Sequence, residues 1–138
     1  MSSSGEMCWQ LLYTKSRAEE WVDVNLRRQG YSTLLPRVRA RSGYRPLFPR
    51  YIFAGFEADH SARELQSTRG VSYVVQCGEH AARVPADVIA EIRGRMDQWG
   101  VVVVDAEAPR DSMFGKAERE RVRALVRFAE AGWRVRVA

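Results

Sequence analysis

Arg45-Pro46-Leu47-Phe48-Pro49-Arg50-Tyr51-Ile52-Phe53-Ala54-Gly55-Phe56 crowds aromatic and β-branched side chains into a short run. That composition favours a strand. Pro46 and Pro49 each remove a backbone donor, so regular pairing is expected only after Pro49. From there the side chains alternate: Tyr51 and Phe53 on one face, Ile52 and, past a kink at Gly55, Phe56 on the other. Both faces are apolar. One is expected to meet a core and the other a helix or a partner.

Working back from this stretch, Tyr31 to Arg41 reads as extended, with a bend at Pro36. Arg37, Arg39 and Arg41 alternate with Val38 and Ala40 and so project to one side. Ser42-Gly43-Tyr44 is a turn. A basic hairpin over residues 37–50 follows, with Arg45 and Arg50 on its return arm. It is either a charged edge that discourages aggregation or a nucleic-acid contact. Before it, residues 8–14 form a first strand, with Trp9, Leu11 and Tyr13 on one face and Cys8 and Leu12 on the other. Ser16-Arg17-Ala18-Glu19 has capping-box spacing, which predicts a helix from Ser16. Its apolar stripe is Ala18, Trp21, Val22 and Leu26, its polar face Glu20, Asp23, Arg27 and Arg28, and its stop Gly30.

Beyond the opening stretch, Ser61-Ala62-Arg63-Glu64 repeats the capping-box spacing and predicts a short helix over 61–68. Val71–Cys77 reads as a strand, Gly78-Glu79-His80 as a turn, and Ala82–Val84 as extended. Pro85 opens a helix with an apolar stripe at Val88, Ile89, Ile92 and Met96. The order β-α-β-β-α-β-α implies one α+β domain: a four-stranded, mainly antiparallel sheet with flanking helices. The domain is expected to span residues 1–98, followed by a linker over 99–115 and a short appendage over 116–138. Within the linker the four-valine run Val101–Val104 is read as a strand or an apolar clip. In the appendage, Ala117–Ala131 has strong helix formers, a Val122/Leu125/Val126/Ala129 stripe and Gly132 as a stop. Yet Val122, Ala124, Val126 and Phe128 also alternate, and Trp133, Val135 and Val137 do so plainly.

The 138 residues carry a net charge of +5, and of 22 basic residues only Lys15 and Lys116 are lysines. Arginine forks suit phosphates and base edges, so an acidic partner such as nucleic acid is favoured over a merely soluble basic surface. No glycine-rich phosphate loop or nucleophile elbow is visible, and an enzyme is not expected. Cys77, His80, Cys8 and His60 lack the paired spacing of a zinc site. No cofactor and no metal are expected, and both cysteines read as reduced core residues. The polar start Met1–Glu6 is unlike a secretion signal, and no apolar run is long enough to span a membrane. A cytoplasmic monomer is expected.

Trp9-x-Leu11-Leu12-Tyr13-x-Lys15, Pro46-Leu47-Phe48-Pro49-x-Tyr51-x-Phe53 and Thr68-Arg69-Gly70-Val71 together resemble the N-terminal domain of the NusG family of transcription elongation factors, over about residues 8–98. Gln29 after Arg28, Tyr13-Thr14-Lys15 and the Pro-Leu-Phe-Pro form are closest to the family's specialised RfaH-like branch. The resemblance implies a ferredoxin-like fold and an elongation and antitermination role. It implies binding to the clamp helices of the largest subunit of RNA polymerase, through an apolar surface that includes Tyr13, Phe48, Tyr51 and Phe53. It also implies contact with the non-template DNA strand through Lys15, Asn25, Arg28, Gln29, Thr68 and Arg69, with Asn25 where the branch usually has His. The small β-barrel that follows in the family has no full-length counterpart in residues 111–138. In the RfaH-like branch the C-terminal part masks the polymerase surface as a helix, so residues 116–131 are expected to dock on Tyr51 and Phe53. The competing reading is a single-stranded nucleic-acid-binding module without polymerase contact, in which Tyr51, Phe53 and the hairpin arginines stack and neutralise.

Overall fold

In a computed structural model of the chain, residues 7–102 and 117–133 are described. The opening stretch becomes the central strand β5 (Tyr51–Glu57), which starts just after Pro49 as the missing donors require. It pairs antiparallel with β1 (Met7–Thr14) from Met7↔Glu57 to Tyr13↔Tyr51. On its other edge lies β2 (Ser32–Leu34), again antiparallel. β6 (Val71–Val74) pairs with β1 beyond it, giving the order β2-β5-β1-β6. The expected four strands are joined by a fifth, the two-residue β9 (Arg83–Val84), which pairs with β1 at Trp9↔Val84. The register through Gly55 is unbroken, so the expected kink is absent and Phe56 shares the face of Ile52 by alternation alone. Gly55 stands instead where Trp9 crosses the sheet: a Cβ there would lie 2.7 Å from the indole.

Leu11 and Leu12 are neighbours in sequence, point to opposite faces and are both fully buried, because both faces of the sheet are covered. On one side α1 (Glu19–Arg28) and α2 (Arg63–Ser67) close a core of Leu12, Val22, Leu26, Ile52, Ala54 and Leu65. On the other, α3 (Ala86–Gly94) and α4 (Glu118–Glu130) share a core with Trp9, Leu11, Phe48, Tyr51 and Phe53. The tail ambiguity thus resolves to a helix across Val122–Phe128. Gly132 stops it in the left-handed region at φ 67°. The strand alternation expected from Val135 to Val137 lies outside the described residues, as does the linker segment Asp105–Arg110.

Both expected capping boxes fail. Arg17 takes φ 61°, α1 starts only at Glu19, and no side chain caps it. The Glu19 carboxylate is engaged elsewhere, accepting the Arg50 N–H at 2.8 Å. At α2 the Ser61 hydroxyl does accept the Arg63 N–H at 3.1 Å, but Glu64 turns to the Tyr31 hydroxyl instead of closing the box. Gly30 is the expected stop of α1, at φ 91°, with Tyr31 N–H bonded back to Leu26 O.

The expected strand Val71–Cys77 breaks at Val75. Beyond it, β7 (Gln76–Cys77) and β8 (His80–Ala81) form a separate hairpin. The basic hairpin is β3 (Arg37–Ala40) and β4 (Gly43–Pro46). Residues 100–102 clip onto its base: Arg37 N–H bonds Gly100 O, and Val102 N–H bonds Arg37 O at 2.7 Å. Cys8 and Cys77 are free thiols, and Cys8 Sγ accepts a guanidinium N–H of Arg83. Among the described residues no three His, Cys, Asp or Glu side chains gather as a metal site, and no helix is long and apolar enough to cross a membrane.

Candidate functional site

Strand alternation sends Tyr13, Tyr51 and Phe53 to the α3/α4 side, and Phe48 joins them from the preceding turn. Tyr13 sits between Tyr51 and Tyr73, with ring centroids 5.0 Å and 4.9 Å away, the Tyr73 ring stacked. Arg50, in the left-handed region at φ 74°, lays its guanidinium 4.5 Å over the Tyr13 ring and donates Nε–H to Thr14 O. Phe48 meets Phe53 edge to face at 6.2 Å. Sequence reading found Tyr13, Phe48, Tyr51 and Phe53 and missed Tyr73; it placed Arg50 on the hairpin's return arm, but that arm ends at Pro46 and Arg50 lies over Tyr13 instead. Opposite pairing with Tyr13 is the signal for Tyr73.

This aromatic surface is covered. Tyr51 is 8% exposed and Phe53 fully buried, in one packed cluster with Leu125, Ala129 and Trp133 of the tail. Burial, then the neighbouring Tyr73, Tyr13 and Glu130, push the Tyr51 phenol up to about 12. Two polar contacts fasten the start of α4. Arg121 donates Nε–H to Leu47 O at 3.1 Å, and Glu118 pairs with Arg45 of the hairpin at 2.9 Å. Burial lowers the Arg121 guanidinium from its ordinary range; Glu118 opposes that shift and Arg45 adds to it.

The second set of residues gathers on the opposite side of the sheet. The TRGV turn lies against α1: Asn25 Nδ2 donates to Arg69 O, and Lys15 N–H to Gly70 O at 2.8 Å. Gly70, at φ 94°, is required there. A Cβ would lie 2.6 Å from Val22 and 3.3 Å from Trp21. Gln29 Nε2 donates to Thr68 Oγ1 at 2.8 Å, and the Thr68 hydroxyl donates to Glu64 O at 2.6 Å. Lys15, Arg28, Gln29 and Arg69 are exposed and Asn25 is half-buried, whereas Thr68 is buried and holds Gln29 in place. The acids of α1 face elsewhere. Glu19 binds Arg50, Asp23 binds Arg27 and Thr33, and Glu20 reaches Arg37. Trp21, expected in the core stripe, is instead 52% exposed.

One sheet therefore packs an aromatic cluster under α3 and α4 on one side, and on the other it is covered by α1 and α2, where α1 and its adjoining turns carry exposed cations. A family model described as transcription termination factor nusG matches residues 7–93, and the chain belongs to the NusG family. A solved structure described as domain interaction in Thermotoga maritima NusG is similar at 21% identity and a TM-score of 0.49. The match covers 62% of this chain and 54% of that one, so the chain spans about half the length of that relative.

Proposed function

We propose that this protein is a transcription elongation and antitermination factor of the RfaH-like kind. In this reading Tyr13, Phe48, Tyr51 and Phe53 dock on the clamp helices of the largest RNA polymerase subunit. Lys15, Asn25, Arg28, Gln29 and Arg69, with Thr68 as a strut, touch the non-template DNA strand, and pausing is suppressed. The observation that carries it is that the aromatic set packs on one face of the sheet while α1 and α2, which bear or adjoin the second set, pack on the other. An adaptor built this way holds an enzyme with one face and a strand with the other, without competition between them. Family membership makes RNA polymerase the natural partner. In this reading α4, which shares the core cluster of Phe48, Tyr51 and Phe53, has to move for the polymerase to dock.

The test is capture of core RNA polymerase with and without a paused non-template strand. Apolar docking gives weak salt dependence, and Tyr51→Ala in a still-folded chain lowers affinity by about 1–3 kcal/mol, as an aromatic anchor does. Unchanged affinity overturns the docking assignment. The competing single-strand binder loses its stacking residues, because Tyr51 and Phe53 are buried, and keeps only the exposed cations beside α1. That reading requires steep loss of nucleic-acid affinity with salt and no capture of the polymerase.

A further inference from the structure

The covered and uncovered aromatic residues do not sort as the helix pattern leads one to expect. Val22 and Leu26 are fully buried, but Trp21 is 52% and Val24 38% exposed. At about 100° per residue, Trp21, Val24, Asn25 and Arg28 fall within one arc of α1. Exposing an indole to water carries a free-energy cost that packing normally removes. The surroundings say what fits it. Lys15, Arg17, Arg28 and Arg69 are all exposed, and among the described residues none of them is in a salt bridge. The nearest acid on the helix, Glu20, is roughly a quarter turn away and faces Arg37. Trp21 is also fixed in position: its Cδ1 edge lies against Gly70, whose carbonyl holds Lys15 N–H and whose neighbour Arg69 accepts from Asn25.

We infer that Trp21 is a stacking platform for an unpaired nucleobase, with Lys15, Arg28 and Arg69 placed to take the flanking phosphates and base edges. The inference deepens the strand contact proposed above and rests on it. An exposed flat ring among cations and without a facing acid suits a single nucleic-acid strand, because every base has a π-face and every linkage a negative charge. A protein partner of ordinary composition would leave those cations unpaired. The Asn25 amide is engaged with Arg69 O, and about half of Trp21 remains open to solvent.

The test uses the full chain and short fluorescent single-stranded DNA and RNA oligonucleotides of one sequence, each also made with abasic sites. Trp21→Ala should weaken binding about tenfold or more, and Trp21→Phe should restore most of it. Abasic strands should bind the wild type as weakly as intact strands bind Trp21→Ala, and intact strands should quench tryptophan fluorescence in the wild type more than in Trp21→Phe. The DNA and RNA arms tell which sugar the platform accepts; base-dependent binding by either supports it. If Trp21→Ala binds normally while Arg28→Ala/Arg69→Ala does not, the platform is wrong and the cationic contact stands. If the wild type binds no single strand, both are wrong. Loss of polymerase capture in Trp21→Ala with intact strand binding would assign the indole to a protein contact instead and overturn the inference.

Discussion

Arg121 of α4 donates its Nε–H to the backbone carbonyl of Leu47 at 3.1 Å, joining the tail to the turn that leads into the central strand. Arg121 is 4% exposed, so the bond is shielded from competing water. It also ties the tail to Pro46-Leu47-Phe48-Pro49, whose missing donors leave that turn without a regular ladder.

Replacing Arg121 by Met keeps much of the apolar stem and removes the donors. Hydrogen bonds to charged groups contribute about 1.5–3 kcal/mol, and Glu118 would lose a neighbouring cation. The expected outcome is a looser α4. Hydrogen exchange in 118–130 should rise while the sheet amides keep their protection. A variant whose α4 exchanges as slowly as the wild type would show that the apolar contacts hold the helix unaided.

The phenols under and beside the cover predict an alkaline signature. Tyr51 is raised to about 12 chiefly by burial, and Tyr31 to about 12 by burial and by the hydrogen-bonded Glu64. An unfolded tyrosine releases its proton near 10. Between about pH 10 and 12 the folded state therefore holds more protons than the unfolded one, so stability falls as pH rises. Below pH 10 these groups contribute no slope. Denaturant midpoints measured across that window should drop less steeply in Tyr51→Phe than in the wild type. Parallel profiles would show that Tyr51 titrates normally.

On the opposite face, Arg28→Ala/Arg69→Ala should leave polymerase capture intact and remove preference among non-template sequences. A bidentate arginine on a guanine edge is worth about 1–3 kcal/mol of discrimination. Equal loss on every sequence, read by competition between strands at fixed salt, would mean phosphate contact only.

Much of this architecture follows from local pattern. Alternation in Tyr51-Ile52-Phe53 assigns both faces of β5 without any knowledge of its neighbours. Alternation put Tyr51 and Phe53 on one face, but the four residues of the aromatic set and the six of the cationic set were carried by the family resemblance. Trp21 was not legible as a surface residue, because an aromatic adjacent to Val22 reads as stripe; only the position of Val22 and Leu26 on the buried arc turns it outward. The capping boxes misled because groups distant in sequence take the carboxylates, Arg50 N–H that of Glu19 and the Tyr31 hydroxyl that of Glu64. The tail was undecidable for a different reason: Val122–Phe128 fits helix and strand equally, and only the covered aromatic face selects the helix.

That selection is what deletion of residues 111–138 tests. Leu125, Ala129 and Trp133 are buried in the same cluster as Phe48, Tyr51 and Phe53, which α3 also fills, with Val122, Val126 and Phe128 half-buried beside it. Each large side chain fully buried contributes about 1.5–3 kcal/mol before ordering costs are subtracted. The docked end also bears costs. Trp133 lies in the left-handed region at φ 66°, unusual for a bulky residue, and its buried Nε1–H has no partner among the described residues. Docking is therefore expected to be favourable but reversible. If its net worth is about 3 kcal/mol, roughly one molecule in a hundred is open, and removing the tail should raise polymerase affinity about a hundredfold. The truncated chain should bind a hydrophobic dye that the full chain excludes, and strand binding by the opposite face should be unchanged. A truncated chain that is folded, by circular dichroism, and captures the polymerase no better than the full chain would reduce α4 to a structural cover with no masking role.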